Sequence, residues 1–164
     1  MKVGKVTLMK LEQMTNVELL QAHGAVIDEL IRREVVRTRN NPIGDYTEWL
    51  VCRCLDLDQQ NNSTAACDAV NKTGDQRYQI KGRQSDAHRV QFSAIRNLDK
   101  LGFDFVIAVV FNKDYSIRFA AKLTHTAVQR LSRHQGHVNA HILMLSEDCF
   151  EVDGVEDISG LLCD

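Results

Sequence analysis

At 164 residues, with 44% apolar and 26% charged side chains, the chain is long enough for one domain with its own core and has the makeup of an ordinary globular protein. Five cysteines at odd count without Cys-x-x-Cys spacing exclude a disulfide frame or zinc knuckle, and the longest apolar run, Phe105 to Phe111, is far short of a bilayer. The formal charge of −2 is unevenly spread: residues 71–134 hold 12 Lys/Arg against 5 Asp/Glu (+7), whereas residues 135–164 hold no Lys/Arg against 7 Asp/Glu (−7). Such a distribution fits either a phosphate-binding face beside a solvated, self-masking acidic terminus, or two blocks that salt-bridge each other.

Lys2, Lys5 and Lys10 interrupt any signal-peptide core, so the expected location is the cytoplasm, with reduced thiols at Cys52, Cys54, Cys67, Cys149 and Cys163. The expected organisation is a single domain over 1–164, with an N-terminal helix at 16–35, a core at about 42–121 and an acidic segment at 142–164. Residues 2–9 read as a short strand or a loose end. Thr15-Asn-Val-Glu18 has the form of a capping box, and Val17, Leu20, Val26, Ile27, Leu30 and Ile31 continue at helical spacing to about Val35. Arg32, Arg33, Arg37 and Arg39 suit a solvated helix end.

Asn41-Pro42 starts a second helix, with Ile43, Tyr46, Leu50 and Cys54 as its buried stripe and Trp49 as a core aromatic. A brief strand near Leu55–Gln59 and a loop at Asn61–Thr64 follow. Ala66–Val70 and Arg77–Gly82 flank the turn residues Asn71-Lys-Thr-Gly-Asp75 and predict a hairpin; a turn centred on Thr73-Gly74 sets residue 68 opposite residue 79. Gln91–Leu101 is read as helix. Asp104–Phe111 is a central strand, Asn112-Lys-Asp114 a turn and Ser116–Ala121 another strand. Thr124 caps a helix to about Leu131, and His141–Leu145 is a strand ahead of the acidic tail.

The chemistry-bearing residues cluster on the predicted hairpin. Strand side chains alternate faces, so Gln79 and Lys81 point one way and Ile80 the other, with Asp68 sharing the Gln79 face. A hard cation such as Mg²⁺ takes oxygen ligands and few protein carboxylates. Asp68 offers a carboxylate, Gln79 an amide oxygen and Ile80 its peptide carbonyl. Lys81 is then placed to neutralise charge on a phosphate or to orient attacking water, and Glu48 on the preceding helix to complete the shell directly or through water.

A helix-borne Glu, a strand Asp and a strand bearing Gln-x-Lys, in this order, resemble the PD-(D/E)XK (restriction-endonuclease-like) nuclease superfamily over roughly residues 42–111. The Gln-x-Lys form resembles the branch containing methylation-dependent restriction enzymes. Asn-Pro-Ile-Gly-Asp-Tyr-Thr-Glu-Trp-Leu and Tyr-Gln-Ile-Lys are also similar to stretches of a small group of bacterial proteins. The resemblance implies an α/β (α+β) fold, a central mixed sheet flanked by helices, and metal-dependent phosphodiester hydrolysis with Mg²⁺ or Mn²⁺. It assigns metal binding to Glu48, Asp68 and Gln79 and catalysis to Lys81. Two departures stand out: Gln79 replaces the usual acidic residue, removing a negative charge, and the segment between the Glu48 helix and Asp68 is short.

Arg83, Arg89 and Arg96 follow the Lys81 strand and suit either a phosphate track or ordinary surface charge. Gln91 and Ser93 are within reach of the site if the following segment is helical. His134, His137 and His141 would suit a metal only on a helix; Gly136 and the β-like run after His141 favour loop or edge histidines instead. The resulting expectation is a Mg²⁺-dependent endonuclease acting on DNA rather than RNA, as a homodimer so that two sites address two strands. Its rivals are a catalytically inactive nucleic-acid-binding module on the same fold and a protein-interaction domain.

Overall fold

A computed structural model describes residues 10–61, 67–95, 98–136 and 140–163. Two compact units divide the chain, Met1–Pro42 and Ile43–Asp164. No helix among the described residues is long and apolar enough to cross a membrane.

In the first unit, α1 runs Asn16–Arg32. The expected capping box forms: the Glu18 amide donates to Thr15 Oγ1 at 3.3 Å, and Glu18 Oε2 accepts the Thr15 amide at 2.7 Å. The Thr15 amide and hydroxyl, both donating to this carboxylate, hold it below its ordinary range. The helix stops three residues short of Val35 because Glu34 adopts a left-handed φ of 59°, with the Val35 amide folding back onto the Leu30 carbonyl. Arg32 and Arg33 clasp Glu29 at 2.6 and 2.8 Å, and Arg39 pairs with Asp28, so these three arginines are engaged with carboxylates of α1.

The second unit is α+β, a mixed six-stranded sheet, a three-stranded sheet and two helices. Helix α2 (Ile43–Cys54) leads to β1 (Asp58–Gln59), β2 (Ala69–Val70) and β3 (Arg77–Gln84); then come β4 (Val90–Gln91), β5 (Phe105–Phe111) and β6 (Ile117–Thr124). Helix α3 (His125–Leu131), capped by Thr124 as expected, precedes β7 (Ser132–Gln135), β8 (Ala140–Leu145) and β9 (Val155–Asp157). The large sheet is ordered β1-β2-β3-β5-β6-β9 and the small one β4-β8-β7. Only β3 and β5 are parallel among these paired strands.

Strand alternation gives the large sheet two apolar faces. Tyr78, Ile80, Ile107, Val109 and Phe111 pack with Leu50 and Val51 of α2. Val106, Ala108, Val110, Phe119 and Ala121 pack with α3 and with Val90, Leu143 and Leu145 of the small sheet. Strand β5 is central and buried from Val106 to Phe111, as its apolar run predicts.

Two expectations are corrected, and one pair of alternatives is resolved. The helix expected over 91–101 does not form in its first half: Val90–Gln91 is strand β4, and the Phe92 and Ile95 amides donate to the carbonyls of Leu143 and His141 at 3.0 and 2.8 Å, with a single 3-10 turn at Leu98–Lys100. Val90 and Phe92 are buried while Gln91 is exposed, which is strand periodicity, and the open edge of β8 supplies the partner. The buried stripe of α2 is Thr47, Leu50, Val51 and Cys52, with Ile43, Tyr46 and Cys54 only partly covered. The acidic segment pairs with the basic block, the second of the two readings of the uneven charge. It adds β9 to the sheet, buries Ile158 and Leu162, and returns ion pairs to the basic block through Arg118–Glu147 (2.8 Å) and Lys122–Glu156 (4.0 Å).

Candidate functional site

The hairpin forms in the register its turn dictates. Ala69 lies opposite Tyr78 and Val70 opposite Arg77; the paired ladder stops there, and the Asp68 amide turns to the Tyr78 carbonyl. The turn is closed by the Gly74 amide on the Asn71 carbonyl (2.9 Å), with Gly74 at φ 77°, a conformation that glycine adopts without strain. A bidentate pair fixes the other edge of β3: Arg77 Nε and Nη2 reach Asp104 at 3.2 Å each, and the Arg77 amide donates to Asp104 Oδ2 at 2.8 Å. These bonds hold the Asp104 carboxyl below its ordinary range. The clamp sets the parallel register that places Gln79 beside Val106 and Lys81 beside Ala108.

Strand β2 is too short to pair with all of β3. Its ladder ends at Ala69, leaving the peptide groups of β3 beyond Tyr78 without a strand partner on that edge among the described residues. Asp68 fills the first vacancy. Its amide donates to the Tyr78 carbonyl at 2.8 Å, and its Oδ2 accepts the Ile80 amide at 2.6 Å, a short charge-assisted bond. The carboxylate therefore lies in the plane of the sheet, and not simply above the Gln79 face. The Ile80 carbonyl shares the edge of its own amide, because both peptide groups of a strand residue face the same neighbour.

Gln79 and Lys81 flank Ile80 on the opposite side of the strand, and both are half-buried. Among the described residues neither side chain has a hydrogen-bond or ion-pair partner. A half-buried lysine can cover its stem while its ammonium stays accessible to a ligand. Arg83 follows on the same face, exposed at the strand end.

Glu48 is reached by another route. Helix α2 crosses β3 at Gly82, where a Cβ would stand 1.9 Å from Thr47 Oγ1. Thr47 is fully buried, its hydroxyl turned onto the Ile43 carbonyl of its own helix. The next residue, Glu48, is half-buried and accepts a hydrogen bond from Gln59 Nε2 of β1 at 3.2 Å. Gln59 pairs with Ala69, and the adjoining Gln60 amide donates to the Asp68 carbonyl at 2.9 Å. Glu48 is thus tied to the Asp68 segment through β1, whereas α2 itself packs on the Tyr78–Ile80 face, away from Gln79 and Lys81. Trp49 stacks with Tyr46 at 6.0 Å and carries the Arg53 guanidinium over its ring, as a peripheral core aromatic.

Arg89 is exposed just before β4, and Gln91 is exposed on β4; Arg96, His137 and the Asn62–Thr64 stretch lie outside the described residues. Ser93 is exposed on the extended segment after β4. Neither the Arg77–Asp104 clamp nor the Thr47–Gly82 crossing was anticipated from the residues. The clamp's only signal is a charge of opposite sign at the start of each of two strands.

Among the described residues no three His, Cys, Asp or Glu side chains converge. The donor set at β3 is instead one carboxylate (Asp68), one amide oxygen (Gln79) and one peptide carbonyl (Ile80). All are oxygens with a single negative charge among them, donors of the type a hard divalent cation takes while keeping several waters. No protein-family model matches the chain, and no curated protein matches it. The chemistry must therefore be read from these residues.

Proposed function

We propose that this chain is a divalent-metal-dependent endonuclease of the restriction-endonuclease-like kind, hydrolysing phosphodiester bonds in DNA as a homodimer. The observation that carries the reading is the Asp68 carboxylate fixed 2.6 Å from the amide of Ile80, the residue that separates a Gln79 and a Lys81 lacking partners among the described residues. Asp68, Gln79 and the Ile80 carbonyl would hold Mg²⁺ or Mn²⁺, with Glu48 joining through water. The cation supplies Lewis acidity toward a phosphoryl oxygen and acidifies water. Lys81 neutralises charge on the scissile phosphate or orients the attacking water. Arg83 and Arg89, with Arg96, track the flanking phosphates. Free thiols at all five cysteines are in keeping with a cytoplasmic location.

One observation favours a second reading. Gln79 and Lys81 face away from the helix that bears Glu48, and Gln79 lacks the charge of an acidic ligand. A nuclease fold that binds nucleic acid without cleaving it would tolerate both. Incubation with Mg²⁺ or Mn²⁺ against duplex, single-stranded, branched and methylated substrates separates the two. The proposal expects cleavage of at least one substrate and its loss in Lys81→Ala. Salt-sensitive binding without turnover, unchanged in Lys81→Ala, would establish the second reading instead.

A further inference from the structure

The small sheet carries a pair of groups that the proposed nuclease site does not use. His134 of β7 and His141 of β8 stand directly opposite one another. The His141 amide donates to the Ile95 carbonyl at 3.0 Å, and its carbonyl accepts the Ile95 amide at 2.8 Å. Both backbone polar groups of His141 therefore face Ile95 and away from β7. That makes His134–His141 a non-hydrogen-bonded cross-strand pair, the arrangement in which facing side chains come closest. The ring centroids are 5.0 Å apart, with the planes at 61°. His134 is exposed and His141 half-buried, so solvent ions have access.

We infer that these two imidazoles form a chelating site for a late first-row divalent cation, of the Cu²⁺, Ni²⁺ or Zn²⁺ class. The distance supports this directly. A ligating imidazole nitrogen stands about 2.0–2.1 Å from such an ion and about 1.2 Å from its own ring centre, so centroids 5.0 Å apart subtend about 100° at a shared ion. That value falls between the right angle of tetragonal Cu²⁺ and the tetrahedral angle of Zn²⁺. Rotation about each Cβ–Cγ bond swings the ring nitrogens while leaving the centroids almost unmoved, so the 5.0 Å spacing is kept as the rings reorient. Water completes the coordination shell. Imidazole selects these metals over Mg²⁺, whose preference is for oxygen, so the pair is chemically independent of the Asp68 edge and does not rest on the nuclease reading. A bound ion would also cross-link β7 to β8 and favour the native state by mass action.

Titration of the tag-free protein with CuSO₄, followed by calorimetry and by electron paramagnetic resonance, tests the site. The expected result is one tight equivalent with nitrogen hyperfine structure from two imidazoles. His134→Ala and His141→Ala should each weaken it about tenfold or more, since even outer partners of metal ligands cost 10–100-fold, whereas His88→Ala should leave it unchanged. His134 is exposed, so its variant keeps the test sound if His141→Ala folds poorly. Parental affinity in folded His134→Ala, or no tight Cu²⁺ equivalent in the parent protein, would overturn the inference.

Discussion

Replacing Gly82 by alanine probes the contact that positions α2 on the sheet. The new Cβ would meet Thr47 Oγ1 at 1.9 Å, Thr47 Cβ at 2.8 Å and the Ile43 carbonyl at 3.0 Å. The first distance is far inside van der Waals contact, and the third involves backbone. Thr47 cannot simply rotate away, because its Cβ is also too close and its surroundings are fully buried. The helix must therefore move by an ångström or more, carrying Glu48 with it. Overpacking of this kind costs about 1–3 kcal/mol, and two contacts under 3.0 Å place Gly82→Ala near the upper end. For a chain of this size the loss corresponds to a fall in Tm of roughly 5–10 °C. Urea unfolding monitored by Trp49 fluorescence provides the assay. Thr47→Ala in the Gly82→Ala background removes the hydroxyl but leaves the Cβ contact, so it should restore part of the stability and not all of it. A Gly82→Ala protein within about 0.5 kcal/mol of the parent, the range of ordinary surface substitutions, would refute the close crossing.

The Arg77–Asp104 clamp should leave a signature at acid pH. Hydrogen bonds from Arg77 lower the Asp104 carboxyl in the folded state, so its contribution is fully present above the ordinary carboxylate range near pH 4 and is lost as pH falls through the lowered folded value. Because both side chains are about 40% exposed (41% and 38%), Asp104→Asn should cost no more than about 1 kcal/mol at pH 7 and flatten the acid limb of a stability–pH profile; an unchanged limb would contradict this. Thiol labelling of the native protein at neutral pH should reach exposed Cys163 rapidly and spare Cys149, whose thiol burial pushes up to about 11. Modification of Cys149 at a rate like that of Cys163 would show the core around it to be open.

Where structure follows from neighbours in sequence, it is legible in the residues. Thr15 and Glu18 are three positions apart and cap their helix by mutual bonds. Asn71 and Gly74 fix the turn, and the turn fixes the register that sets Ala69 opposite Tyr78. The misreadings arise where a distant partner decides. Residues 90–95 extend because β8, some fifty positions later, offers them an edge. Thr47 faces the sheet because Gly82 leaves room for it, and no helical periodicity of apolar residues would select a threonine there. The tail is read as polar because its acidic residues outnumber Ile158 and Leu162, the side chains that anchor it. At the site itself, the alternation of Gln79 and Lys81 was accessible from strand period alone. The in-plane turn of the Asp68 carboxylate was not, since it depends on β2 ending at Ala69 and leaving the Ile80 amide for it to accept.

The most direct measurement of the central claim is anomalous scattering from crystals soaked in MnCl₂. The account predicts a peak close to Asp68 and Gln79, at about the 2.1 Å that an octahedral Mg²⁺-like ion keeps from its oxygen ligands, and its disappearance in Asp68→Ala crystals. Crystals with the β3 edge open to solvent that show no manganese there, or a peak that survives in Asp68→Ala, would contradict it.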